Sequence, residues 1–287
     1  MIIIKTINDL QHCLQQQVKK GLNIGFVPTM GALHKGHLSL INASKSVCGY
    51  TVCSIFVNPV QFNDPTDFNK YPSTLEQDIL ILEKNKTDIL FLPSIDTIYP
   101  NGTKNLEHYD LGYLETILEG KYRPGHFQGV CQVMNRLLNI VQPQHLFMGQ
   151  KDYQQCMVVK KLIKMSGLDI NFHTCPTERE ADGLAMSSRN LRLNEAERKN
   201  AVAIYHSLTY LKEHIAALHF DELKKYVSNI LLKNNFKVDY VEIADADTLE
   251  CKQSYKKKDN LVALIAAYQN EIRLIDNMVL KGEQILN

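Results

Sequence analysis

The chain has 287 residues, of which 45% are apolar and 22% charged, and its formal net charge is +1. That balance excludes a disordered or fibrous chain and leaves room for one large α/β domain plus a smaller one. A charge so close to zero gives no global field to attract nucleic acid or an anionic membrane, so any anion site has to be local.

In chain order, "MIIIKTINDL" holds three consecutive isoleucines, too few for a signal-peptide core. No run of about 18 apolar residues predicts a membrane span. "TINDLQHCLQQQVKK" places Leu10, Cys13, Leu14 and Val18 at helical spacing, with Gly21 as a stop. "NIGFVP" is a short strand, and "LSLINASKSV" continues as helix after His37. "TVCSIFV" is a β-rich run ended by "NP". "STLEQDILILEKN" predicts a helix opened by a capping box of Ser73 and Glu76. "DILFLP" is a strand, and "VCQVMNRLLNIVQP" is an amphipathic helix ended before Pro143. "HLFMG" is a strand, "DYQQCMVVKKLIKMSG" a helix and "DINFHTCP" a strand.

Strands and helices therefore alternate to about residue 176, the pattern of a parallel sheet covered on both faces. After "SSRN" the grammar changes. One long helix, capped by Asn194, is expected over "NEAERKNAVAIYHSLTYLKEHIAAL", and a second near 220–234. "VDYVEIAD", "LVALIAAY" and "IRLIDNMVL" then read as strands with no long helix between them, which makes a smaller α+β domain. The seven cysteines include no C-x-x-C and no zinc spacing, so free thiols in a reducing cytosol are expected.

The unusual residues fall at the carboxyl ends of these strands, the edge where open α/β sheets bind ligands. "PTMGALHKGH" follows the first interior strand. Gly31 would permit a tight turn and Gly36 a close backbone approach. His34 and His37, three apart on the first helical turn, can donate to phosphate oxygens at a helix N-terminus, itself an anion site. A zinc site is disfavoured because no third ligand is near. "NPVQFN" offers the amides of Asn58 and Gln61 to a small polar substrate. "GQKDYQQ" brings Lys151 as a point charge for phosphate, Asp152 as a helix cap, and Gln155 one turn beyond Lys151. "MSSRN" offers the donors Ser187, Ser188 and Arg189. "EGKYRPGHFQG" reads as a loop carrying Arg123 and His126, suited to a lid.

Taken together, "PTMGALHKGHLSL", "FVNPVQF", "RPGHFQGV", "MGQKDYQQ" and "READGLAMSSRN" resemble the pantoate–β-alanine ligase family over nearly the whole chain. "HKGH" is similar to the HIGH-type motif of the wider nucleotidyltransferase superfamily. The resemblance implies a Rossmann-like domain over 1–176 that binds nucleotide and pantoate, and a smaller α+β domain over 177–287. It implies a cytoplasmic homodimer that uses ATP and Mg²⁺ to join pantoate to β-alanine through pantoyl adenylate. No nucleic acid or membrane partner is implied.

By the same resemblance His34 and His37 meet the phosphates, with His37 the proton donor, and Lys151 and Arg189 also contact phosphate. Met30, Gly31, Gly36, Gly149, Asp152, Met186, Ser187 and Ser188 complete the ATP site. Gln61 and Gln155 hold pantoate, Asn58 supports them, and Pro28 and Met30 give an apolar wall. Three positions depart from the family pattern: Gln150 stands where Glu is usual, Gln128 where Arg is common, and Glu178 where a small apolar residue is usual. An acid such as Glu178 beside the nucleotide would weaken anion binding. Two other classes compete: a HIGH-motif nucleotidylyltransferase acting on a phosphorylated acceptor, and a noncatalytic nucleotide-binding protein. The paired glutamines disfavour the first, and the intact His34, His37, Lys151 and Arg189 the second.

Overall fold

The computed structural model describes residues 1–281, which divide into two compact units. The first comprises Met1–Gly149 and Gln154–Cys175; the second comprises Gln150–Tyr153 and the chain from Pro176. The first unit is a sheet of six parallel strands: β1 (Ile2–Ile4), β2 (Ile24–Thr29), β3 (Tyr50–Ile55), β4 (Ile89–Phe91), β5 (His145–Gly149) and β6 (Asn171–Cys175). Their order is β1-β4-β3-β2-β5-β6. Its principal helices are α1 (Ile7–Lys19), α2 (Lys35–Val47), α4 (Leu75–Lys84), α7 (His126–Val141) and α8 (Tyr153–Met165), with short α3 (Pro65–Asn69), α5 (Ile95–Ile98) and α6 (Leu118–Tyr122) between. This is the helix-covered parallel sheet that the alternation of elements predicts, in the Rossmann-like form that the resemblance implies.

The two-residue period of the strands divides the apolar residues between two cores. Phe26, Val52, Ile89, Phe91, Leu146 and Met148 face a cluster that contains Leu10 and Leu14 of α1, Leu137 and Leu138 of α7, and Val159 of α8. Their neighbours Val27, Cys53, Ile55, Leu90 and Phe147 face the opposite cluster, with Ile41 of α2 and Leu82 of α4. Both faces being buried, the strands are nearly continuous apolar runs.

β1 pairs with β4 at the sheet edge, so the three isoleucines are an edge strand that the sequence pattern did not reveal. The capping box at Ser73 and Glu76 is not formed: α4 begins at Leu75 after Thr74, whose side chain caps no backbone N–H. The Thr74 hydroxyl instead donates to Asp78 Oδ1 at 3.1 Å. The expected loop 119–129 is mostly helical, because α6 ends at Tyr122 and α7 begins at His126. Gly125, at φ +79°, makes the tight turn between them.

The second unit holds the antiparallel sheet β7 (Phe236–Asp245), β8 (Leu261–Gln269) and β9 (Ile272–Lys281), in that order. The long helix expected after Asn194 is broken into α9 (Glu195–Ala201) and α10 (Ala203–His214), and α11 (Phe220–Lys233) follows. Asn194 does cap α9, in a capping box with Glu197. Leu208 and Leu211 of α10, Leu223 and Val227 of α11, and Ile243, Ala263 and Ile265 of the sheet share one buried core.

Candidate active site

Strand order reverses between β2 and β5: β2 connects to β3 on one side and β5 to β6 on the other. Such a switch point opens a crevice at the carboxyl ends of the two strands. Here β2 and β5 pair only at Gly25↔His145 and Phe26↔Leu146, although they run on to Thr29 and Gly149. Pro28, Met30 and Gly31 leave the end of β2, and Gly149 ends β5.

The turn after β2 is held by side chains distant in sequence. Thr29 Oγ1 donates to the Ser54 carbonyl at 2.7 Å and accepts from the Gly31 N–H at 3.2 Å. Gly31 and Ala32 both have positive φ, +81° and +49°. At alanine that conformation is strained by about 1–2 kcal/mol. The buried carboxylate of Asp78 fixes it, accepting from the Ala32 N–H at 2.9 Å and from the Leu33 N–H at 2.8 Å. The sequence shows Asp78 only as one acid of a helix, 46 residues from Ala32, so nothing in local spacing singles it out. Asp78→Asn keeps the shape but turns an N–H toward one of these donors. A buried donor left unpaired costs roughly 2 kcal/mol, so urea unfolding is expected to show that loss. Turnover should fall about tenfold, since the turn aims the helix that follows. Wild-type stability and turnover together would reject this role.

The imidazoles close the start of α2 in an unusual capping box. His34 Nδ1 accepts from the Gly36 N–H at 3.1 Å, and His37 Nδ1 accepts from the His34 N–H at 3.3 Å. The ring centroids are 4.1 Å apart. A backbone N–H can only donate, so each Nδ1 must present its lone pair. In the neutral ring the hydrogen is then on Nε2. The sequence suggested donation by the imidazoles as well as by the helix N–H groups; in the fold the Nδ1 of each histidine occupies one of the backbone N–H groups at this helix start.

Asn58 and Gln61 belong to a partly buried polar chain. Tyr99 donates from its hydroxyl to Asn58 Oδ1 at 2.8 Å. Asn58 Nδ2 donates to Gln61 Oε1 and to the Gly129 carbonyl, both at 3.1 Å. Gln61 Nε2 donates to Met30 Sδ at 3.1 Å. Gly129 has to be glycine, because a Cβ there would lie 2.4 Å from the Val60 carbonyl oxygen. Arg123 and His126 are tied to the same region: His126 Nδ1 lies 2.8 Å from the Gln61 carbonyl, and Arg123 donates to Asn63 Oδ1 at 3.3 Å. Gln128, where the family often has Arg, brackets Tyr109, accepting from its N–H at 3.0 Å and donating to its carbonyl at 2.9 Å. Gln155 is half-buried on α8.

In the second unit, consecutive residues of β9 clamp two further segments. Asn277 Nδ2 donates to the carbonyls of Gln150 and Lys151 at 2.9 and 2.8 Å. Gln150 answers with Nε2 to Asn277 Oδ1 at 3.3 Å, so an amide at this position is engaged as a donor. Asp276 takes a bidentate pair from Arg179, at 2.6 and 3.0 Å, and Arg179 also donates to the Gly183 carbonyl. The Arg179 guanidinium lies 4.9 Å from the Tyr205 ring centre, and Gly183 leaves room for that ring, which a Cβ would overlap. Arg179 and Gly183 thus shape the hairpin closed by the Met186 N–H bonding to the Glu178 carbonyl. Glu178 is exposed, and this backbone bond is what it contributes. The hairpin leads into "MSSRN": Met186 and Ser188 are buried, and Ser187 caps the next turn by accepting from the Arg189 N–H at 3.3 Å. The Lys151 ammonium stands 3.9 Å from Asp152, a long and partly exposed pairing worth little to stability. The clamp by Asp276 and Asn277 was invisible in sequence, because its partners lie 97 and 127 residues away.

Among the described residues no group of three or more His, Cys, Asp or Glu could hold a metal ion, and no helix is long and apolar enough to cross a membrane. All seven cysteines are free. Burial pushes the thiol of Cys48 up to about 11 and that of Cys53 to about 12, which makes them inert packing residues.

Known proteins agree with this architecture. The family model for pantoate-beta-alanine ligase matches residues 2–279. Pantothenate synthetases from Acetivibrio thermocellus and Azobacteroides pseudotrichonymphae are 44% and 41% identical, over 98% and 97% of this chain and 100% and 99% of their own. The crystal structure of pantothenate synthetase from Thermus thermophilus superposes with a TM-score of 0.90 at 35% identity, covering 98% of this chain and 100% of that one. Pantoate-beta-alanine ligase from Francisella tularensis, crystallised with beta-gamma ATP and beta-alanine, gives 0.82 at 38% identity, covering 99% of each chain. Matched in sequence from end to end and in fold by solved members, this chain belongs to the pantoate–β-alanine ligase family.

Proposed function

We propose that this protein condenses pantoate with β-alanine at the expense of ATP, in two steps. A pantoate carboxylate oxygen attacks the α-phosphorus of ATP, the bond to the bridging oxygen breaks, and pyrophosphate leaves. The β-alanine amine then attacks the acyl carbon of pantoyl adenylate, the bond to the AMP oxygen breaks, the amine loses a proton and pantothenate forms. The first step needs little base catalysis; it needs alignment and neutralisation of the charge that grows on the leaving group.

The observation that carries this reading is the fixed tautomer of His34 and His37, which turns both Nε2–H groups into donors. Those donors suit a pyrophosphate oxygen, His37 stabilising the growing charge through its Nε2–H hydrogen bond while keeping its proton. Lys151 and Arg189 add cationic charge. Met30, Gly31, Gly36, Gly149, Asp152, Met186, Ser187 and Ser188 would line the nucleotide. Gln61 and Gln155 would hold pantoate, with Asn58 in support and Pro28 and Met30 against its methyl groups. The region 1–176 is assigned to nucleotide and pantoate, and 177–287 to the smaller domain.

Mg²⁺ is assigned to the substrate rather than to the protein. With no cage of three ligating side chains among the described residues, the ion would arrive on the ATP phosphates, as Mg²⁺ commonly does. The free, mostly buried thiols fit a reducing cytoplasm. A homodimer formed through the larger domain completes the proposal and is tested by sedimentation of the purified protein. The decisive assay is AMP release: it should require both pantoate and β-alanine. Turnover of ATP without AMP release, or transfer of a nucleotide to a phosphorylated acceptor, would replace this reading with the nucleotidylyltransferase one.

A further inference from the structure

The amide of Gln61 is oriented before any ligand arrives, and its orientation can be traced outward to a buried phenol. Gly129 offers a carbonyl, which only accepts, so Asn58 Nδ2 must face it. Asn58 Oδ1 then faces the other way, toward the Tyr99 hydroxyl at 2.8 Å and the Val60 N–H at 3.3 Å. The second hydrogen of Nδ2 goes to Gln61 Oε1, which turns Gln61 Nε2 toward Met30 Sδ. One N–H and one lone pair of the Gln61 amide remain. The N–H suits a carboxylate and the lone pair a hydroxyl or ammonium group.

Of the bonds that hold Asn58, the one from Tyr99 is the shortest. Tyr99 is itself fixed. It is fully buried, with the Arg136 guanidinium 4.9 Å from its ring centre and Phe56 at 6.3 Å. Burial raises the phenol well above its ordinary range, against the opposing pull of Arg136, so it stays a proton donor at any working pH. A buried tyrosine whose hydroxyl has simply found a partner is the ordinary alternative, and it predicts a loss of stability with no selectivity among substrates.

We infer that Tyr99 is a positioning residue for the acceptor acid: through Asn58 it holds the Gln61 amide in the orientation that binds pantoate. This rests on the assignment of Gln61 to pantoate made above. The test is a double-mutant cycle read in steady-state KM values. Gln61→Ala should raise the KM for pantoate about 10–100-fold, the weight of a hydrogen bond to a charged group. Tyr99→Phe, which removes one oxygen, should raise it about fivefold, the weight of one neutral bond, and leave the KM for ATP as it was. In the double variant the Tyr99 effect should vanish, because there is no amide left to orient.

Effects that multiply in the double variant would overturn the inference, as would an unchanged pantoate KM in Tyr99→Phe alone. An unchanged pantoate KM in Gln61→Ala would instead remove the assignment of Gln61 beneath it. Should Tyr99→Phe fold poorly, Asn58→Asp keeps an acceptor for Tyr99 and Val60 but can donate neither to Gln61 nor to the Gly129 carbonyl. Its effect on pantoate should likewise disappear in the Gln61→Ala background, and persistence there would overturn the relay.

Discussion

His37→Ala is expected to lower turnover about 10²–10³-fold, the usual cost of removing one donor aimed at developing charge. The expectation follows from the bond that His37 Nδ1 accepts from the His34 N–H, which leaves the imidazole proton on Nε2. Alanine also removes a cap from α2, costing roughly 1 kcal/mol, so a fall in activity could come from a frayed helix. His37→Gln separates the two. Glutamine at this position of a capping box reaches back to the same N–H, so unfolding in urea should match the wild type. With its oxygen held by that N–H, its amide N–H cannot occupy the place of the imidazole Nε2–H, so turnover should still fall more than about tenfold. If His37→Gln turns over like the wild type, His37 is only a cap and its phosphate role is wrong.

The same histidines show how far the sequence could be read. The parallel sheet was legible because its interior strands are short apolar runs ended by turn residues such as proline, asparagine or glycine, and helices of clear period lie between. β1 was not, since three isoleucines at an edge carry no alternation. The break between α9 and α10 was hidden too, because the amphipathic period runs through Val202 without a glycine or proline. "HKGH" marked the turn, yet the tautomers depend on which backbone N–H each ring meets, and only the fold supplies that. Asp78, Tyr99, Asp276 and Asn277 had no local signature at all. Each acts across 41 to 127 residues of chain, through bonds to backbone, amide or guanidinium groups that spacing does not encode. The residues assigned to ligands sat in recognisable blocks; those that aim them were dispersed.

Lys151 allows the order of the two chemical steps to be examined separately. Its backbone carbonyl is held by Asn277 at 2.8 Å and its ammonium is 3.9 Å from Asp152, a partner too distant and too exposed to neutralise it. The charge also acts on the buried Asp276, favouring its ionised form, and the proposed function gives it a phosphate as well. If pantoyl adenylate forms first, the enzyme should exchange labelled pyrophosphate into ATP when given pantoate and Mg²⁺ but no β-alanine. Lys151→Ala should depress that exchange by about 10²–10³, as for other charge-stabilising groups. Its effect on the attack of β-alanine on preformed pantoyl adenylate should be smaller, because no pyrophosphate departs in that step. Since the backbone clamp uses the carbonyl and not the side chain, the variant should keep its unfolding profile. Exchange that strictly requires β-alanine would reject a free adenylate and point to a concerted reaction. Equal losses in the two half-reactions would place the Lys151 charge on the α-phosphate, which is present in both, rather than on the departing pyrophosphate.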